Sequence, residues 1–139
     1  MTDVSPPAAK EPGAERRRAD PRHDLGRRGE ETAARYLQSR GLVLIDRNWR
    51  CREGEIDIVA LDEGADTLVV VEVKTRTSTR FGTPVEAVTP VKAARLRRLA
   101  SCWLRDHPLG VARVRIDVIG VLAPRGGRPQ ITHISDVTS

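Results

Sequence analysis

The stretch GEIDIVALDEGADTLVVVEVKTR, Gly54 to Arg76, decides the fold. Ile56, Ile58, Val59 and Ala60 form one apolar run and Val69, Val70 and Val71 another, with Gly64-Ala65 as the turn between them. Runs this continuous belong to central strands covered on both faces, so the stretch reads as a hairpin of central strands. Charged side chains are seldom placed in such strands without partners. Glu55, Asp57, Glu72 and Lys74 are placed there.

Side chains alternate along a strand, so Glu72 and Lys74 share a face with Leu68 and Val70, and Glu55 shares one with Asp57. A turn centred on Gly64-Ala65 pairs residues whose numbers sum to about 129, which sets Asp57 opposite Glu72. Two carboxylates facing each other repel unless a cation lies between them. Oxygen ligands favour a hard ion, and Mg²⁺ takes only one or two protein carboxylates, leaving room for water and phosphate. Lys74 adds a fixed positive charge that could hold a water or neutralise charge developing on a phosphate. Together these parts suit phosphodiester hydrolysis. The plain alternative is a polar edge strand with Asp57 paired to Lys74 or an arginine. Glu55 has no firm role in either reading.

Upstream, Asp24 can cap a helix in which Ala33, Ala34 and Leu37 recur at helical spacing and Gly41 suits the C′ position. Glu30, Ala34 and Leu37 lie at i, i+4 and i+7, so Glu30 shares the packing stripe, whereas Glu31 and Arg35 can pair elsewhere. Leu42 to Ile45 begins a strand that continues toward Trp49. Downstream, Thr75 to Pro84 reads as a loop. Thr89 and Pro90 then fit the N-cap and N1 of a second helix, with Leu96, Leu99, Ala100 and Trp103 as its buried stripe. Val111 to Leu122 returns to a strand, and Gln130 to Ile134 forms a last short one. Asp117, inside the fourth strand, is expected to pair with an arginine. Trp49 and Trp103 read as packing residues, and His23, His107 and His133 lie where no histidine catalysis is expected.

The chain of 139 residues has room for one domain, and its net charge of +5 comes mostly from arginine, the footprint of a partner carrying phosphates or carboxylates. Residues 1–21 form a basic, proline-rich tail expected to be disordered, and residues 22–139 form the domain. No segment approaches the roughly 20 apolar residues that span a bilayer, and the N-terminus lacks a secretory h-region. A soluble, cytoplasmic protein with no membrane partner is therefore expected. Cys51 and Cys102 form no CxxC pair and read as ordinary thiols.

Gly26-Arg27-Arg28-Gly29-Glu30, Tyr36-Leu37, Asn48 with Arg50, Gly54-Glu55-Ile56-Asp57, Val71-Glu72-Val73-Lys74, Ala87-Val88 with Lys92, Arg95-Leu96 and Ile116-Asp117-Val118 follow the pattern of the YraN-like family. The match runs from about Gly26 to Leu122. That family resembles archaeal Holliday junction resolvases and other restriction-endonuclease-like, PD-(D/E)xK nucleases. The resemblance implies an α/β fold: a restriction-endonuclease-like core, with a mixed β-sheet flanked by helices. It implies a nuclease site of Asp57, Glu72 and Lys74, completed by Glu30, with the Val73 carbonyl as a further metal ligand. Ile56 stands where many of these nucleases have proline.

The expected function is a Mg²⁺-dependent endonuclease, with Mn²⁺ as the alternative ion, acting on DNA of branched or otherwise structured form. Asp57 and Glu72 hold the metal. Arg76 and Arg80 on the loop and Lys92 and Arg95 on the second helix grip the nucleic acid backbone. Cutting a junction needs two symmetric sites, so a homodimer is expected by analogy. The competing expectations are a nucleic-acid-binding module that keeps the fold without turnover, and an interaction protein whose basic helix meets an acidic protein.

Overall fold

The computed structural model of the protein describes residues 21–80 and 88–137. Helix α1 (Pro21–Ser39) leads into strands β1 (Val43–Cys51), β2 (Gly54–Asp62) and β3 (Thr67–Arg76). Helix α2 (Pro90–Asp106), β4 (Arg113–Leu122) and β5 (Gln130–Ile134) follow. The five strands form one sheet in the order β1-β2-β3-β4-β5. All neighbours run antiparallel except β3 and β4, which are parallel. A parallel pair needs a crossover, and α2 supplies it.

Each face of the sheet carries one helix. Ala33, Ala34 and Leu37 of α1 pack on Ile58, Ala60, Val69, Val71, Ile119 and Val121. Leu96, Leu99, Ala100 and Trp103 of α2 pack on Ile56, Val59, Leu68, Val70 and Ile116. The central strands are therefore apolar on both sides, as their sequences require. The Thr89 hydroxyl accepts the Lys92 amide at 3.2 Å and Pro90 opens α2, so the predicted cap is observed. Trp103 is buried, Cys102 is a buried free thiol, and Cys51 is half-buried and free.

Three boundaries differ from the sequence reading. β3 runs through Arg76, so Thr75 and Arg76, expected in the loop, pair with Val121 and Leu122 of β4. α1 begins at Pro21, so Asp24 lies within its first turn, where its charge complements the positive end of the helix dipole, and does not cap it. Proline suits the first turn because its missing N–H has no intrahelical partner there. β4 begins at Arg113, since Pro108 and Gly110 keep the preceding residues out of the ladder. The predicted tail through residue 20 and part of the 75–84 loop lie outside the described residues. Among the described residues no helix is long and apolar enough to cross a membrane.

Candidate active site where two strands part

The β2–β3 ladder runs from Asp62↔Thr67 to Ile58↔Val71, the register expected from the turn. It stops one pair short of Asp57 and Glu72. There the Asp57 carboxylate replaces the ladder, its Oδ2 accepting the Val73 amide at 2.8 Å. Strand alternation also slips at this point: Ile56 packs in the α2 layer, whereas Ile58, two residues on, packs in the α1 layer. Asn48 on β1, between Arg47↔Ile58 and Trp49↔Ile56, has φ +53°, a conformation asparagine tolerates better than most residues. Asp57 thus sits in a local break between two antiparallel pairs.

Glu72 is 9% exposed and receives two ammonium groups on one oxygen. Lys74 Nζ lies 3.0 Å and Lys92 Nζ 3.2 Å from Glu72 Oε2. Burial disfavours both ammoniums, but Lys74, hydrogen-bonded and held by the charges of Glu72 and Asp57, ends above its ordinary pKa. Burial and the neighbouring Lys74 hold Lys92 below its own. Burial, reinforced by the charge of Glu72, pushes Asp57 up to about 7 despite the Val73 hydrogen bond. Glu30 on α1 is also raised, chiefly by burial and against a hydrogen bond from Asn48. With its amide oriented to satisfy both neighbours, the Asn48 nitrogen donates to Glu30 Oε1 at 3.0 Å and Glu55 Oε2 at 3.2 Å.

A cavity of about 200 Å³ opens here, walled by Glu55, Asp57 and Glu72 from the sheet and Lys92 and Arg95 from α2. Two glycines allow the approach of the helices. Gly29 of α1 is buried against Thr75, whose Cγ2 would lie 2.8 Å from an added β-carbon. Gly54 has φ +144° and carries the Arg95 guanidinium 3.1 Å from where its β-carbon would be.

Residues 29–121 match the model of the uncharacterised protein family UPF0102. The chain belongs to this family. A UPF0102 protein of Arthrobacter sp. (strain FB24) is 58% identical over 113 residues, covering 81% of this chain and 94% of its own. One from Clavibacter michiganensis subsp. michiganensis is 59% identical over 108 residues, covering 78% and 90%. One from Mycolicibacterium gilvum is 50% identical over 120 residues, covering 86% and 98%. The matched span of the UPF0102 chain contains every residue of the cavity wall.

Of the residues nominated from sequence, Asp57, Glu72, Lys74, Lys92 and Arg95 meet at the strand break, and Glu30 reaches it through Asn48. Arg76 and Arg80 are exposed and do not line the cavity; Arg76 Nη1 donates to the Thr75 carbonyl at 3.0 Å. Lys92 was expected on a backbone-gripping surface, but it contacts the acidic centre itself. Asn48 and Glu55 were missed as participants. An asparagine inside a strand run was the one available sign, because the role of Asn48 depends on an unusual φ.

Asp57 and Glu72 also suit a hard cation by the chemistry of their donors. Asp57 uses only Oδ2 on Val73, and both lysines meet Glu72 at Oε2, so Asp57 Oδ1 and Glu72 Oε1 stand outside those contacts. Among the described residues no three histidine, cysteine or carboxylate side chains form a ready-made cage. Such a site fits an ion that keeps most of its water, as Mg²⁺ does.

Proposed function

We propose that this UPF0102 protein has a restriction-endonuclease-like fold and is a Mg²⁺-dependent endonuclease hydrolysing DNA phosphodiester bonds, with branched or structured DNA as its substrate. The observation that carries this reading is the meeting of Asp57, Glu72 and Lys74 where β2 and β3 part, with Asp57 raised to about 7 by burial and by Glu72. A carboxylate so poorly compensated is costly to fold around, and such costs concentrate at working sites.

Asp57 and Glu72 would hold Mg²⁺ or Mn²⁺, which when bound supplies Lewis-acid polarisation of the phosphate and a more acidic water. Lys74, kept protonated by its carboxylate neighbours, acts as a fixed positive charge beside the phosphoryl oxygens and orients the attacking water. Glu30, relayed through Asn48, holds the outer side of that water. Lys92 and Arg95 meet the phosphate from α2. Water adds to phosphorus and loses a proton to solvent, the bond to the leaving sugar oxygen breaks, and that oxygen takes up a proton from solvent.

The test is cleavage of junction, flap and linear DNA with Mg²⁺ or Mn²⁺ by the parent, Asp57→Asn and Lys74→Ala. Each variant is expected to lose about 100-fold or more in rate. No metal-dependent cutting by the parent, or equal cutting by all three, sinks the reading.

A second reading is favoured by one contact set, the double engagement of Glu72 by Lys74 and Lys92, which neutralises that carboxylate internally. It is a nucleic-acid-binding module that retains the fold without turnover. Calorimetric Mg²⁺ binding that Asp57→Asn abolishes, without cleavage by the parent, is its signature.

A further inference from the structure

We infer that nucleic acid reaches the acidic centre along α1, with its sugar-phosphate backbone held by Arg27, Arg28 and Arg125. The proposal rests on the nuclease reading for the chemistry of the ligand. A groove of about 730 Å³ lies between α1 and the β4–β5 turn, with Arg28 and Arg125 on its walls and Leu25, Val121 and Pro124 among its apolar lining. Arg28 also borders the adjoining hollow that contains Arg27, Glu30 and Asn48. Glu30 and Asn48 border in turn the hollow that ends at Asp57. Shared walls thus connect the groove to the site.

The charge on this track is available. Arg27, Arg28 and Arg125 are exposed and make no ion pair among the described residues. Glu31, the carboxylate on the groove wall, is already engaged by Arg35 at 3.3 Å and by Arg47 at 3.0 Å. The other acidic residues of the hollow are Asp24 and Glu30, the latter bonded to the Asn48 amide. Guanidinium groups above an apolar floor suit a duplex edge, whose regularly spaced phosphates they can pair and whose sugars can rest on that floor. A purely carboxylate partner would leave that lining uncovered.

The experiment is fluorescence anisotropy of labelled duplex and single-stranded DNA in EDTA, across a range of salt, with the full chain. Arg27→Gln/Arg28→Gln/Arg125→Gln is compared with Arg97→Gln/Arg98→Gln/Arg105→Gln on α2, which removes the same net charge. The first set is expected to weaken duplex binding at least tenfold and to flatten the salt slope by about 2.7, or about 0.9 per lost phosphate contact. The second is expected to weaken it less than threefold. Arg27→Lys/Arg28→Lys/Arg125→Lys, with a parent-like melting curve, is expected to restore the slope. Equal losses in the two sets, or loss in the α2 set alone, overturn the proposal. So does a polyglutamate peptide that binds as tightly as DNA, which would point to an acidic protein partner. Because no metal is present, the outcomes separate: α1-dependent binding without metal-dependent cleavage refutes the nuclease reading alone, whereas cleavage with unaltered α1 binding refutes this one alone.

Discussion

Asp57 on β2 and Asp117 on β4 flank neighbouring positions of β3: Val71 pairs with Asp117 on one side and on the other with Ile58, the residue after Asp57. Their surroundings differ in almost every other respect. Asp117 is fully buried and fully engaged: Arg115 grips it at 2.9 and 3.0 Å, His133 Nε2 lies 2.8 Å away and the Asp136 amide donates at 2.9 Å. Tyr36 of α1 extends the cluster through its hydroxyl, 3.0 Å from His133 Nδ1. Asp57 has one amide, three nearby carboxylates and a pKa raised to about 7. Burial is thus no guide to function. What separates the two aspartates is whether the fold finishes compensating the charge.

Predictions can break this contrast at either end. Removing Asp117 should have the largest effect on stability. Asp117→Ala strands Arg115 and the Asp136 amide and should cost about 3 kcal/mol in urea unfolding, at the low end for a buried pair because Arg115 is partly exposed. A loss under about 1 kcal/mol would mean the cluster is not the fastener described.

Asp57→Asn should act in the opposite direction. The raised pKa means that the folded protein binds a proton more tightly than the unfolded chain, so parental stability falls as pH rises from about 4 to about 7 and then levels. Asparagine can still accept the Val73 amide. At pH 8 the variant should therefore be more stable than the parent by on the order of 2 kcal/mol, with the gap closing toward pH 4. A pH-independent difference would contradict the electrostatic account.

Gly29→Ala tests how closely α1 must approach. Its methyl group meets the side chain of Thr75, and the variant should lose about 2 kcal/mol through overpacking. Gly29→Ala/Thr75→Ala, with both Oγ1 and Cγ2 removed, should recover part of that loss in the same melts. Tyr36→Phe should have the smallest effect, about 1 kcal/mol for one half-buried hydrogen bond to His133. Metal-dependent cleavage should be unaltered in Tyr36→Phe if the Asp117 cluster is structural.

Much of this was legible in the sequence because it rests on local patterns. Ile58 to Ala60 and Val69 to Val71 announce strands covered on both faces, Thr89-Pro90 announces the start of α2, and the turn at Gly64-Ala65 sets the register. The pairing of Asp117 with an arginine was foreseen, and its bond to His133 was not, because they lie 16 residues apart on neighbouring strands. Lys92 could be identified as basic but not as a partner of Glu72, since only the packing of α2 brings it there. The bridge of Asn48 to Glu30 and Glu55 joins three elements through one positive φ, which no periodicity encodes.

The sequence by itself determined the strand and helix segments, the hairpin register and the choice of Asp57, Glu72 and Lys74 as the charges needing explanation, because alternation and turn chemistry act over a few residues. Only the tertiary structure decided that the ladder opens at Asp57, that two lysines share Glu72, and that Asp57 is left undercompensated while Asp117 is not. Those outcomes depend on which helix covers which face and on how many donors reach a buried carboxylate, and both are set by contacts between residues far apart in the chain.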